Sequence, residues 1–156
     1  MAGFKRKEIE AAFEKYQVAA LKGAQTKDWR DWADCFTEDA TYNEHLHGKF
    51  WGRERIFQWI TDTMNAYPGP EMTGFPISWY SIDTAKGWVF CEVMNRMQDL
   101  GDRKIHEAPN ITILHYAGNG LFSYEEDAYN PTNFGTMLQA YEESKAAMAE
   151  KAKQKS

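Results

Sequence analysis

Apolar positions recur along this chain with a helical period in the first part and a strand period in the second. Ile9, Phe13, Tyr16 and Ala20 fall on one face of a helix predicted over residues 5–22, with Gly23 as its stop. Thr26 is placed to cap a second helix, with Asp28 in its acid-favouring first turn. Trp29, Trp32, Ala33 and Phe36 follow the i, i+3, i+4, i+7 spacing of that helix, which is expected to stop near Phe36. Thr37-Glu38-Asp39 breaks the pattern. The alternation Thr41-Tyr42-Asn43-Glu44-His45 then predicts a strand, and Gly48 permits a turn into a short return strand at Phe50-Trp51-Gly52. Ile56, Trp59, Ile60 and Met64 mark a third helix over residues 53–66, which Pro68-Gly69-Pro70 terminates.

Beyond residue 70 the period becomes two. Aromatic and β-branched runs over 76–82, 88–100, 105–116 and 121–129 are separated by the turn sequences 83–87, 101–104 and 117–120. Asn130-Pro131 supplies an N-cap followed by Pro at N1 and opens a last helix through about residue 148. Helices first and strands afterwards predict an α+β domain in which helices cover one face of a curved antiparallel sheet. Residues 1–149 are read as one such domain. Residues 150–156, which are Lys, Gln, Ala, Glu and Ser, are expected to be a frayed polar tail.

Composition narrows the function classes. An apolar content of 43% with 15% aromatics excludes a disordered chain and suits a pocket for flat organic ligands. The net charge of −5 argues against nucleic acid, whose phosphates need a basic face. No apolar run is long enough to predict a membrane span and no signal segment is read, so a cytoplasmic location is expected. Cys35 and Cys91 lie in apolar surroundings without metal-like spacing and read as buried thiols. No metal and no cofactor are predicted. His45 and His47 share a face but lack a third ligand.

The run Phe36-Thr37-Glu38-Asp39-Ala40-Thr41-Tyr42, followed by a short loop, Gly52-Arg53-Glu54 and a helix, resembles the polyketide-cyclase-like (SnoaL-like) branch of the nuclear-transport-factor-2-like superfamily. The resemblance extends over about residues 5–140. It implies a cone-shaped curved sheet with three N-terminal helices covering its concave face and a C-terminal helix. It also implies a scaffold that hosts isomerases, hydrolases, dehydratases, cyclases, lyases and plain binders. Glu44 falls where ketosteroid isomerases carry their general-base Asp, and Tyr16 lies near their first-helix Tyr; Asn110-Ile111-Thr112-Ile113 offers no carboxylate for the rest of their oxyanion hole. Against limonene epoxide hydrolases, Tyr42 and Asp127 match a Tyr and an Asp. Glu44 replaces their Asn, while Val93 and Asn95 stand at the positions of their Arg and second Asp. His45, His47, His106 and His115 keep a scytalone-dehydratase-like reading open.

The strand parity implied by the resemblance turns Tyr42 and Glu44 inward, with Cys91, Val93, Asn95 and Met97 on a second strand. On a third strand it selects Glu107, Pro109, Ile111, Ile113 and His115, and on the last Glu125, Asp127 and Tyr129. Glu44, Asp127 and Tyr42 are the expected catalytic groups. Asn95, Tyr16, Trp32, Trp59, Val93, Ile111, Tyr129 and His115 are the expected substrate-binding residues. Two carboxyls in one apolar cup cannot both ionise cheaply, so one is expected to keep its proton as acid while the other, preferably Glu44, acts as base. The expected activity is cofactor-free acid–base chemistry of lyase, dehydratase, isomerase or cyclase type. Its substrate is expected to be a hydrophobic aromatic or polycyclic molecule, with a lignin-derived two-ring aromatic as one case. The alternative is a non-catalytic ligand-binding or protein-interaction module of the same fold. A homodimer is expected through the outer sheet face, where Phe90 and Met94 lie.

Overall fold

Helix α1 (Arg6–Thr26) buries the stripe read from the sequence: Ile9, Phe13, Tyr16 and Ala20 all face the core. The computed structural model describes residues 3–156. Gly23 does not stop α1, which runs on until Lys27 adopts a left-handed conformation and donates its N–H to the Gly23 carbonyl. The glycine is there for packing, because a Cβ built on Gly23 would sit 2.5 Å from Cε3 of Trp29. The second helix, expected to span ten residues from Thr26, shrinks to a single turn, α2 (Arg30–Ala33). Asp28, rather than Thr26, accepts the Arg30 N–H at 3.0 Å. Trp29, Trp32, Ala33 and Phe36 are still buried, so the apolar spacing marked the core-facing residues although most of the helix is absent.

Strand β1 (Phe36–Glu44) turns into β2 (Gly48–Trp51), and α3 (Arg53–Asn65) follows. A 3-10 turn at Gly69–Glu71 leads to β3 (Met72–Gly74) and β4 (Ile77–Asp83). The long strands β5 (Trp88–Met97), β6 (Glu107–Gly118) and β7 (Leu121–Ala128) complete the sheet. Its order is β2-β1-β7-β6-β5-β3, with β4 also paired to β5. The sheet is curved, open and mixed rather than wholly antiparallel, since β1 and β7 run parallel. That pairing sets Tyr42 beside Glu125 and Glu44 beside Asp127. Neighbouring residues in register share a face, so four polar side chains converge on the concave side.

Helix α4 (Pro131–Gln154) begins as expected, with the Asn130 side chain accepting the Thr132 N–H at 3.0 Å. It continues through Gln154, so the tail expected to fray beyond residue 149 is helical for most of its length, although residues 151–156 are all exposed. Tyr141 is fully buried, and its hydroxyl donates to Glu71 Oε1 at 2.9 Å, tying α4 to the 3-10 turn. Among the described residues no helix is long and apolar enough to cross a membrane.

The parity of β6 corrects the sequence reading. Val93 pairs with Asn110, Cys91 with Thr112 and Asn95 with Ala108, so the even-numbered residues of β6 face inward. Ile111 and His115 therefore lie on the convex face. His115 is stacked there between Trp88 and Tyr124, at centroid distances of 4.2 and 4.4 Å. The segment Ile111-Thr112-Ile113-Leu114 is apolar on both faces, so alternation alone selects the wrong one.

Candidate functional site

The helices and the concave face of the sheet enclose a cavity of about 420 Å³. Its walls include Trp29, Trp32, Trp59, Phe75, Phe134 and the methionines 64 and 72, and among the described residues no Lys or Arg lines it. Of the residues expected to bind substrate, Tyr16, Trp32, Trp59, Val93, Asn95 and Tyr129 line the cavity; Ile111 and His115 do not. The three expected catalytic groups, Tyr42, Glu44 and Asp127, are also in the lining, and the fold adds Asn110, Thr112 and Glu125.

The polar floor is built on β7. Glu125 and Asp127, two residues apart, point the same way into a region of low polarity. The Tyr16 hydroxyl, brought over by α1, donates to Glu125 Oε1 at 2.8 Å. The Tyr42 hydroxyl donates to Asp127 Oδ2, and Thr112 Oγ1 donates to Asp127 Oδ1 at 2.6 Å. Asn110 Nδ2 supports that threonine at 3.1 Å. Glu125 Oε2 has no partner.

The two carboxyls titrate as a coupled pair, and their surroundings differ. Burial, followed by repulsion from Asp127, holds the Glu125 carboxyl well above the usual range, and the bond from Tyr16 only partly opposes this. Burial also raises Asp127, but the hydroxyls of Thr112 and Tyr42, with the Asn110 amide behind them, oppose the rise and favour its anion. Of the two, Glu125 is thus held more strongly toward its protonated form, and the surroundings of Asp127 favour its anion. Burial, then the nearby carboxylates, pushes the Tyr16 and Tyr42 phenols well up, so both stay neutral donors.

Glu44 occupies a different position from the one expected of a free base. Its Oε2 accepts the backbone N–H of Leu46 at 3.0 Å and that of His47, closing the β1–β2 turn. His47 Nε2 lies 4.0 Å from the same oxygen at the rim of the cavity. Burial and then Glu44 push the Tyr129 phenol upward, so this carboxylate and phenol face each other. The carboxyl pair predicted between Glu44 and Asp127 does exist as neighbours across β1 and β7, but Glu125 is the deeper partner of Asp127.

Three of the four histidines lie outside the cavity. His45 is exposed and bonded to Glu126 at 2.6 Å, and His106 packs edge-on against Tyr141 outside the cavity. Only His47 reaches the lining among the described residues. Glu125 was placed on the inner face by parity but given no role. Thr112 and Asn110 were missed because their strand was turned the wrong way.

Residues 6–116 match the family model described as a SnoaL-like domain. No curated protein matches the chain. Among solved structures, a proposed isomerase from Bacillus subtilis aligns with a TM-score of 0.63 and 15% identity, covering 83% of this chain and 94% of its own. An LEH-like epoxide hydrolase from M. tuberculosis gives 0.61 and 15%, covering 86% and 91%. An NTF2-like protein from Anabaena variabilis ATCC 29413 gives 0.59 and 18%, covering 83% and 95%. At such identities the likeness shows a shared fold and no more.

Proposed function

This chain belongs to the SnoaL-like domain family, and from that premise we propose that it is a cofactor-independent acid–base enzyme acting on a hydrophobic small molecule. The observation that carries the reading is the Glu125–Asp127 pair at the floor of an aromatic cavity, each carboxyl bonded to a different tyrosine. Asp127, the charged and partly accessible member, takes the substrate proton. Glu125 holds a proton behind it, and the two tyrosines fix the orientation of both carboxyls. This is the pattern in which unlike environments push two carboxyls to different protonation states at one pH.

The choice of Asp127 over Glu44 as base rests on the bonds each already makes. A base must have a lone pair facing the substrate. Glu44 gives one oxygen to the β1–β2 turn, whereas Asp127 is held by side-chain hydroxyls at the cavity floor. The volume suits one or two rings, since a dry cavity of ~150 Å³ already accepts benzene and this one is about 420 Å³. A two-ring aromatic, including a lignin-derived one, fits that space.

The reading is tested without a substrate by titrating carboxyl carbon signals of ligand-free protein by NMR. One member of the pair should titrate well above the ordinary carboxylate range, and that signal should disappear in Glu125→Gln. If both carboxyls ionise in the ordinary carboxylate range, the proposed division of roles is wrong. Once turnover is found, Asp127→Asn should lower it by at least about 100-fold, the low end for loss of a general base.

A further inference from the structure

The hydrogen bonds at the cavity floor restrict what kind of ligand can meet it; this inference rests on the acid–base reading above. The hydroxyl donors at the floor are committed, whereas the proton that Glu125 holds is not, since its Oε2 has no partner. Tyr16 is bonded to Glu125, and Tyr42 and Thr112 are bonded to Asp127. One N–H of Asn110 Nδ2 is bonded to Thr112, and one of Asn95 Nδ2 donates to the Ala108 carbonyl at 3.3 Å. The unpaired buried donor of the wall, the indole N–H of Trp29, belongs to the helical side.

Acceptors remain. Asn110 Oδ1 has no partner. Each Asp127 oxygen accepts a single bond, and an ionised carboxylate offers about four acceptor sites. Among the described residues three carboxyls, those of Glu44, Glu125 and Asp127, line the cavity without a Lys or Arg to balance them. A ketone oxygen can only accept, from the Glu125 carboxyl or the Trp29 indole, and gains nothing from Asp127, whereas a hydroxyl can donate to that carboxylate. A ligand carboxylate would add like charge in a place of low polarity.

We propose that the cavity selects hydroxylated ring compounds, with the ligand O–H donated to Asp127. The same atom that accepts this bond is the proposed base, so binding already places the hydroxyl proton on the path of its removal. Ketones and ethers of the same skeleton lack the proton that Asp127 would accept, and carboxylates add like charge beside it.

The experiment is calorimetric binding of four compounds on one two-ring frame: 2-tetralol, its methyl ether, 2-tetralone and tetralin-2-carboxylate. The alcohol should bind at least about 10-fold tighter than the ether or the ketone, the effect of one hydrogen bond to a charged acceptor, and the carboxylate should bind weakest. Asp127→Asn, whose amide can present N–H to the ligand, should narrow or reverse the preference for alcohol over ketone. Equal affinities for alcohol and ketone in the wild type, an unchanged ratio in Asp127→Asn, or no binding of the alcohol would each overturn the proposal. The wild-type ratio decides by itself if the variant does not fold. The carboxyl titration is done on ligand-free protein, so failure here with one carboxyl still protonated removes this inference and leaves the acid–base reading standing.

Discussion

Replacing Glu125 by glutamine should make the protein more stable as pH rises, because the wild-type residue is held in its protonated form by the fold. Below the unfolded carboxyl pKa of about 4.3, Glu125 is protonated in both states and contributes no pH dependence. Above it the unfolded chain releases the proton while the folded protein retains it, because burial and Asp127 raise the folded pKa. The folded state then binds more protons, and stability falls with rising pH by up to about 1.4 kcal/mol per unit until the folded pKa is passed. Glu125 is 2% exposed, so solvent screening does not reduce the effect. Glutamine keeps the size and can accept the Tyr16 bond, yet has no proton to lose. Carboxylates with lowered pKa, such as Glu71 and Glu126, act in the opposite direction, but they are common to both proteins and cancel in the difference. Urea denaturation at pH 4, 5 and 6 measures it. The stability of Glu125→Gln relative to wild type should rise from pH 4 through pH 6, by roughly 1 kcal/mol between pH 5 and 6. Parallel stability curves would refute the claim that Glu125 holds a proton in the native state.

Tyr16→Phe removes the one donor to Glu125 Oε1 and leaves a buried acceptor unpaired, which should cost about 1–3 kcal/mol in the same urea assay; an unchanged midpoint would mean that water takes the place of the phenol. Glu44→Ala takes away the acceptor for two backbone amides of the β1–β2 turn, so amide exchange at Leu46 and His47 should quicken by at least about 10-fold, the equivalent of ~1.4 kcal/mol, while protection in α1 stays as it was. Protection unchanged at those two amides would return Glu44 to consideration as a free base. The convex face presents Trp79, Phe90, Met94, Ile111 and Ile113 at registers opposite to the cavity, and a homodimer through it is predicted: sedimentation at micromolar concentration should give twice the chain mass, and Ile113→Lys should give the monomer. A monomeric wild type at that concentration ends the idea.

How far the sequence speaks for this protein depends on whether a residue's face is set locally or by a distant partner. The helical stripe Ile9, Phe13, Tyr16, Ala20 was legible because a 3.6-residue period needs no partner to define its buried side. The alternation in β1 likewise turned Tyr42 and Glu44 inward, and parity on β7 did the same for Glu125 and Asp127. The segment 111–114 carries apolar side chains to both faces of the sheet, so its parity waits on the pairing of Val93 with Asn110. Chain order says nothing of the parallel pairing between β1 and β7, whose paired residues lie more than 80 positions apart. That pairing sets Tyr42 beside Glu125 and Glu44 beside Asp127. The sequence by itself thus determined which strands carry carboxyls and toward which side most of them point. Only the tertiary structure decided which carboxyl closes a turn, which one is charged and which one keeps its proton, because protonation depends on the burial and hydrogen-bond donors that distant segments bring to one place.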